Sequence, residues 1–584
     1  MCGIICYIGS DNSISYLIKG IKSLEYRGYD SFGCALYQEG KINIYKDVGK
    51  IEEVLYKYSI EEMQSNRAMF HTRWATHGGI EKRNSHPHTD CTGKIAVVHN
   101  GIIENWAQLK KNLKTHTFKS ETDTEILSHL IEDYLKKDLN LLESVKLVAS
   151  KINGLSSFVV MNADFPYMVA YKNGSPLLIG LGKNGIFISS DVPSLINFTK
   201  SFIFLHDGDI ISFSKNEYKI INSLGNDSDH PIVNVEMNPQ IMEKGNHKYF
   251  MEKEIFEQPR IWKSFETVRY DEYYEAANLI KNCNRIFLIG SGSSYHAAMY
   301  GAKLFIAQGI QAIAINGEEI VDYSKLIDDK SVFIVISQSG ETADLISGLN
   351  KFTKIKKIGI INVPSSSIAR NVNVLLKMRV GVEKAVPSTK SFTSTLLILN
   401  ILAGIVNNSI SATEKELLIA NNELYNFLVP SVLKAIGSAA EIIHKMENLF
   451  IAGRNKCYIY SLEGALKLKE CTYIHAEALD LSGLKHGTIS LIDKNTWVIA
   501  LLTKDTINES LMNIQELKAR GAKIIGISPQ NNELFDKFIR VLNLGEFSFM
   551  PIILSIQLLS YEIAIFKNIN PDMPRNLAKS VTVR

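Results

Sequence analysis

Short apolar runs set the rhythm of the first 235 positions. Ile4–Ile8, Ile95–His99, Ser156–Met161 and Gly185–Ser189 read as strands, while Ser13–Leu24 and Thr122–Leu135 read as helical stretches. This mixture predicts an α+β domain over residues 2–235. Glu236–Asn246 then brings Pro239 and Gly245 without a sustained period, so a linker is expected over 236–249.

Beyond the linker the pattern repeats. Arg285–Gly290 (RIFLIG) is echoed by Asn448–Gly453 (NLFIAG), Ser331–Ser337 by Thr496–Leu502, and Lys357–Ile361 by Lys523–Ile527, at offsets of 163, 165 and 166 residues. Each run is apolar without alternation, as a strand covered on both faces must be, and helical segments lie between them. Two related α/β domains with doubly wound parallel sheets are expected, over 250–430 and 431–568, followed by a tail over 569–584.

Composition narrows the class. The chain has 584 residues, too many for one core, with 46% hydrophobic and 21% charged residues, which excludes disordered and fibrous classes. A formal charge of +3 supplies no field for a nucleic-acid partner or a polybasic membrane contact. Seven cysteines without a CxxC pair suggest neither a disulfide framework nor a zinc cluster, so no metal is expected and a reducing compartment fits. The N-terminus lacks the basic, apolar and cleavage segments of a signal peptide, and no run of about 18 uncharged apolar residues follows. A cytoplasmic protein is the expectation.

Cys2 becomes the first residue if Met1 is removed, which puts a thiol and an α-amine on one residue. With ordinary pKa values of about 8.5 and about 7.7–8.0, proton transfer between them is nearly thermoneutral. From position alone, an inert buried cysteine is the commoner outcome. The motifs around it are Leu24-Glu-Tyr-Arg-Gly-Tyr-Asp-Ser31, His71-Thr-Arg-Trp-Ala-Thr-His-Gly78, Asn84-Ser-His-Pro-His88, His99-Asn-Gly-Ile-Ile-Glu-Asn105 and Ser120-Glu-Thr-Asp-Thr-Glu125. Five such motifs in this order resemble the class II glutamine amidotransferases of the N-terminal-nucleophile type. The resemblance implies Cys2 as the acylated nucleophile and an oxyanion hole from the Asn100 side chain and the Gly101 N–H. It also implies Arg73 and Asp123 as partners for the two charges of L-glutamine, Thr76, His77 and His86 lining its pocket, and Trp74 as a gate. Taken bare, Arg73 and Asp123 would be ordinary salt-bridge charges and Trp74 a core aromatic.

In the second half, Gly290-Ser-Gly-Ser-Ser294 and Ser337-Gln-Ser-Gly-Glu-Thr342 sit where strands turn into helices. Hydroxyls and helix-start N–H groups can hold a phosphate there, although a lone Ser-rich turn is as readily a helix cap. Tyr295 occupies the third glycine position of a dinucleotide fingerprint, and no P-loop is present, so a small phosphorylated ligand fits better. Met251-Glu-Lys-Glu-Ile-Phe-Glu-Gln-Pro259, Val386-Pro-Ser-Thr-Lys-Ser-Phe392, Leu462–Glu477, Leu484-Lys-His-Gly487 and Pro574–Val583 complete a resemblance to sugar isomerase (SIS) domains. It implies phosphate contacts from Ser293, Ser337, Gln338, Ser339 and Thr342, sugar contacts from Ser294, Val386 and Ser388, and Lys467 as a further binding residue. Lys579 is implied as Schiff-base lysine, His486 as acid/base for ring opening and Glu470 as the carboxylate that moves the carbon proton. Glu463, Lys467 and Glu470 fall on one helix face, where pairing on a solvated surface is the bland explanation.

Together the resemblances imply an enzyme that takes D-fructose 6-phosphate and L-glutamine to D-glucosamine 6-phosphate and L-glutamate, the start of amino-sugar synthesis, without cofactor, as a homodimer. A phosphoribosyl-type amidotransferase would need a phosphoribosyl-diphosphate loop. A sugar-phosphate-binding regulatory protein with degenerate catalysis is the alternative, and it would have lost Cys2, Glu470 or Lys579, all of which are present. The chain departs from the family pattern at Ser482-Gly483, Thr488, Ser291 and Arg584, none of them a proposed catalytic group.

Overall fold

The computed structural model describes residues 2–235 and 243–580. Residues 236–242 of the expected linker, and Arg584 with the three residues before it, lie outside the described residues. The chain divides into two compact units: Met1–Glu243 with Glu341–Ala343 and Ala578–Arg584, and Lys244–Gly340 with Asp344–Leu577.

Among its described residues the first unit holds two sheets. One has eight strands in the spatial order Val233–Asn234, Ser201–Phe204, Leu178–Leu181, Gly185–Ser189, Gly3–Gly9, Arg67–Arg73, Ser31–Gln38 and Lys41–Val48. The other has six, in the order Tyr218–Ile221, Ile210–Phe213, Met168–Tyr171, Ser156–Asn162, Ile95–Gly101 and His88–Thr89. Ile4, Cys6 and Ile8 share a core with Val98, Val159 and Met161 of the second sheet, whereas Ile5 and Tyr7 pack with Leu17 and Ile21 of the helix Ile14–Ser23. Side chains alternate along a strand, so a strand with both faces covered needs apolar residues at every position, which GIICYIG supplies. The far face of the six-stranded sheet is covered by the helices Glu125–Leu135 and Leu141–Ala149. Each pair of faces therefore buries a core, giving helix, sheet, sheet and helix layers.

The expected helix at Thr122 begins later, at Glu125. Thr122 Oγ1 bonds His88 Nε2, Asp123 Oδ2 accepts the Ile103 N–H, and Thr124 Oγ1 bonds His99 Nδ1. Polar side chains that hold neighbouring loops leave these three residues out of the helical ladder.

The second unit carries two five-stranded parallel sheets with the same strand order. In each, the second strand in chain order lies outside the first, and the third, fourth and fifth follow on the other side. The expected strands appear at Arg285–Gly290, Ser331–Ser337, Lys356–Ile361, Asn448–Gly453, Trp497–Leu501 and Lys523–Ser528. The repeat extends to backbone detail. Gly292 (φ 57°, ψ −128°) and Asn455 (φ 56°, ψ −119°) stand at corresponding positions before the first helix of each sheet. A Cβ on Gly290 would lie 2.6 Å from the Ser294 carbonyl carbon, and one on Gly453 2.3 Å from the Cys457 oxygen, so both strand ends need glycine for the helix to approach.

The helices Lys390–Val406 and Phe549–Phe566 form much of this unit's interior. Extended back to Gly545, the second is long and apolar enough to cross a membrane by length and composition, but 83% of its most apolar stretch is buried inside the fold, as in a core helix. Its neighbour Phe250–Lys263 is started by Asp572, whose carboxylate accepts the N–H groups of Phe250 and Met251 at 2.8 and 2.7 Å.

Candidate active sites

Cys2 lies half-buried directly before the central strand Gly3–Gly9. The Trp74 N–H donates to its Sγ at 3.1 Å. Burial pushes its thiol above the ordinary value, and the Trp74 N–H and Arg73 pull it back. Asn100 is the penultimate residue of the strand Ile95–Gly101 and donates through Nδ2 to the Cys2 carbonyl at 3.0 Å and to Ser190 Oγ at 3.1 Å, while its oxygen faces His71 Nε2 at 3.2 Å. Gly101 has φ 130°, and a Cβ there would lie 2.0 Å from the Leu155 carbonyl oxygen, so its N–H is placed by a backbone only glycine can adopt.

Arg73 is buried. Nη1 donates to Gly79 O at 3.1 Å, and Nη2 to His77 O and Gly78 O at 2.6 and 3.1 Å, so the guanidinium shapes the 77–79 loop. Thr76 is exposed on the approach to that loop, and His77 keeps Nδ1 buried and unpartnered. Trp74 is half-buried against Tyr29, ring centroids 5.5 Å apart. His86 stacks on His71 at 4.1 Å and meets His88 edge-on at 4.8 Å. Burial holds His71, His86, His88 and His99 below the usual histidine range, His71 down to about 3. These imidazoles are neutral packing and hydrogen-bonding groups at pH 7. Asp123 is buried and bonded to the chain just after Gly101.

Sequence reasoning passed over two hydroxyls that hold the chain just after Cys2. Thr72 Oγ1 accepts the Gly3 N–H at 3.1 Å and Ser190 Oγ accepts the Ile4 N–H at 2.9 Å. Neither belongs to a compact motif with Cys2, and only the sheet brings them there.

In the second unit, Ser293, Ser294, Gln338 and Ser388 line one small pocket together with Thr395. The first two begin the helix Ser293–Ile306 at the end of the first strand, and Gln338 follows the third strand; in this strand order the crevice between the first and third strands is the topological switch point, where ligands bind. Ser337 is buried at the third strand's end and its Oγ accepts the Gly340 N–H at 2.9 Å. Ser339 follows in that turn, and Thr342 is half-buried just before the helix Ala343–Asn350. Val386 is buried, its N–H bonded to Asp572 O at 2.9 Å.

The solvated-face explanation for Glu463, Lys467 and Glu470 does not hold. Glu463 and Lys467 are buried in the helix Lys456–Thr472, and Lys467 Nζ lies 3.4 Å from Glu463 and 2.6 Å from Glu470. Glu463 also accepts from Ser293 Oγ at 2.8 Å and meets His296 Nδ1 at 2.7 Å. Burial opposes both charges, yet the carboxylates of Glu470 and Glu463 hold Lys467 up, and Lys467 holds Glu463 down. Ser293 thus joins the pocket to a buried carboxylate–ammonium–carboxylate chain. The buried Lys467 ammonium pairs with both carboxylates.

His486 is exposed at the end of the 3-10 turn Leu484–His486. Ser482 anchors the preceding loop through N and Oγ to Asp480 Oδ1, at 3.0 and 2.6 Å. Nothing comes within 3.7 Å of a Cβ built on Gly483, so that departure is not forced by space. Lys579 is half-buried in irregular chain.

Sequence spacing suggests no zinc cluster, yet in the fold Cys91, His116, His129 and Glu132 present ligand atoms within 4.8 Å of one another.

The fold and these sites define a glutamine amidotransferase joined to SIS domains. A glutamine amidotransferase domain model matches residues 71–197 and an SIS domain model residues 279–404 and 442–538. The chain is 39% identical to the isomerizing glutamine–fructose-6-phosphate aminotransferase of Pyrococcus horikoshii and 39% identical to that of Methanococcus maripaludis, in each case over 100% of both chains. The C-terminal domain of glucosamine-fructose-6-phosphate aminotransferase from Francisella tularensis superposes with a TM-score of 0.52 at 30% identity, covering 56% of this chain and 99% of that one. The chain belongs to the isomerizing glutamine–fructose-6-phosphate aminotransferases.

Proposed function

We propose that this chain converts D-fructose 6-phosphate and L-glutamine to D-glucosamine 6-phosphate and L-glutamate. The observation that carries the reading is one chain holding both the Cys2–Asn100–Gly101 array and a serine-lined pocket tied by Ser293 to Glu463, Lys467 and Glu470. With Met1 removed, the α-amine of Cys2 takes the thiol proton and the thiolate attacks the glutamine amide carbon. Asn100 Nδ2 and the Gly101 N–H stabilise the oxyanion, ammonia leaves, and water hydrolyses the thioester to glutamate. Arg73, Asp123, Thr76, His77 and His86 frame the glutamine, and Trp74 gates the pocket. A bond from Asn100 to the Cys2 carbonyl is the one an oxyanion would replace.

On the sugar side, Ser293, Ser337, Gln338, Ser339 and Thr342 hold the phosphate, and Ser294, Val386 and Ser388 the sugar. His486 opens the ring, Lys579 forms the Schiff base, and Glu470, steered by Lys467, shifts the proton between C1 and C2. The exposure of His486 in its own chain supports a two-fold homodimer in which it enters the partner's site. A cytoplasmic location fits free thiols at all seven cysteines. Residues 2–235 form the glutaminase domain, 236–249 the linker, 250–430 and 431–568 the SIS domains, and 569–584 the tail that completes the sugar site.

The test is incubation with L-glutamine and D-fructose 6-phosphate, resolving the products by mass. Matched yields of glutamate and D-glucosamine 6-phosphate are expected. Glutamate without aminosugar would leave only a glutaminase, and neither product would leave a binding protein.

A further inference from the structure

We propose that Cys91, His116, His129 and Glu132 bind a zinc ion that braces the glutaminase fold. Three segments contribute. Cys91 sits in the turn after His88–Thr89, a turn set by Asp90, whose carboxylate accepts the N–H groups of Thr92 and Ile95 at 3.1 and 2.9 Å. His116 follows the helix Trp106–Asn112, and His129 and Glu132 lie one turn apart on the helix Glu125–Leu135.

The spacing is that of a coordination shell. Cys91 Sγ is 3.5 Å from His116 Nδ1 and 3.7 Å from His129 Nδ1, and Glu132 Oε2 is 3.2 and 3.5 Å from the same two nitrogens. Zinc bonds of about 2.0–2.1 Å to nitrogen or oxygen and about 2.3 Å to sulfur, set tetrahedrally, give edges of about 3.4 Å between the light atoms and about 3.6 Å from sulfur to nitrogen. All four observed edges fall within about 0.2 Å of those lengths.

Proton bookkeeping points the same way. His116 Nε2 is hydrogen-bonded to Asp133 Oδ1 at 2.8 Å, whereas His129 Nε2, 3.7 Å from Glu125 Oε1, makes no hydrogen bond. The neutral His116 imidazole, turning its Nε2–H to Asp133, leaves a lone pair on Nδ1, which stands 3.2 Å from the Glu132 carboxylate oxygen. Such a meeting of acceptors is repulsive without a cation, and carboxylates behind metal-binding histidines are the usual way to fix the ring and its tautomer. Lys136 pairs with the other oxygen of Glu132 at 2.8 Å, while Oε2 faces the centre and accepts the Cys91 N–H at 3.1 Å. The side chains of both histidines are 1% exposed and that of Glu132 6%, with Cys91 closing the open side. One thiolate and one carboxylate match the charge of a divalent ion, and thiolate with imidazole favours zinc over magnesium or calcium. Four protein ligands leave no open position, so the role is structural. Glu125 also accepts the N–H groups of Lys119 and Ser120 at 2.7 Å each, which ties the centre to the segment carrying Asp123.

The full-length protein, expressed with zinc and purified without chelator, should hold about one zinc per chain by elemental mass spectrometry. After dialysis against a competing chelator, Cys91→Ser and His116→Gln should retain at least tenfold less zinc than wild type, and Cys283→Ser, outside the cluster, should match wild type. In the cobalt-exchanged protein, sulfur-to-cobalt charge-transfer absorption should be present in wild type and missing in Cys91→Ser. Cys91 is exposed, so that variant keeps the experiment decisive if His116→Gln does not fold. Wild-type protein with far less than one zinc per chain, or a Cys91→Ser variant with unchanged retention and cobalt spectrum, overturns the proposal.

Discussion

Asn100 and Cys2 are hydrogen-bonded before any substrate arrives: the Asn100 amide donates to the Cys2 carbonyl oxygen at 3.0 Å. The amide proposed to receive the oxyanion is therefore held beside the residue proposed to generate it, and the oxyanion takes the place of that carbonyl as its acceptor. Asn100→Ala should lower kcat for glutamine hydrolysis by about 10²–10³-fold with a smaller change in KM. Steady-state glutamate release measures this, and a kcat within about threefold of wild type would remove Asn100 from the oxyanion site.

Cys2→Ala should abolish glutamine hydrolysis and spare isomerisation of the sugar phosphate, because no isomerase residue proposed above depends on the thiol. Intact mass should show Met1 absent from the active wild type. Retained Met1 in active enzyme argues against the α-amine as base, and lost isomerisation in a folded variant argues against independent chemistries.

Gly101→Ala tests whether the backbone there is as constrained as it looks. A Cβ 2.0 Å from the Leu155 oxygen must displace a strand, whereas Gly40, at φ 81°, has nothing within 4 Å. Gly40→Ala should cost about 1 kcal/mol, the strain of a positive φ alone, and Gly101→Ala about 3 kcal/mol or more. Equal shifts in denaturant midpoint for the two variants would contradict the close approach.

The buried histidines set the response to acid. His71, His86, His88 and His99 all titrate below the value they have in the unfolded chain, so between those values the unfolded state binds more protons and stability rises with pH. Their contribution is present in full above about pH 6.5 and is lost as the pH falls below it, by up to about 1.4 kcal/mol per pH unit for each histidine. The melting temperature of the glutaminase transition should fall between pH 7 and pH 5, and His88→Gln, which keeps a partner for Thr122, should flatten the fall. A pH-independent transition would mean that these imidazoles take up protons in the fold.

Subunit mixing tests the shared sugar site. Lys579→Ala and His486→Ala homodimers should each be nearly inactive. If His486 serves the partner, both lesions fall in one site of a heterodimer and the other site is intact. Random reassociation should restore about a quarter of wild-type synthase activity. Heterodimers seen by native mass spectrometry without recovery would place His486 in its own chain's site.

Much of this architecture was legible because doubly covered strands cannot hide. RIFLIG and NLFIAG are apolar at nearly every position, and their observed bounds coincide with those read from the sequence. The start of the helix at Glu125 was not legible, since Thr122–Thr124 turn outward to partners distant in sequence. Helical spacing put Glu463, Lys467 and Glu470 on one face but said nothing of whether that face meets water. The Cys91 cluster was invisible for a related reason: its ligands run from Cys91 to Glu132 across three segments, and a motif search sees only local spacing.

The strand that begins beside Cys2 is laid down first and completed late. It pairs on one side with Arg67–Thr72 and on the other with Gly185–Ser189, and its Ile4 N–H waits for Ser190. During synthesis, then, the earliest residues to leave the ribosome have no finished seat until the chain has been made as far as Ser190. A nascent chain carries Cys2 without its sheet throughout that interval, so a glutaminase built on that thiol, as proposed above, acts only once the sheet has closed around it.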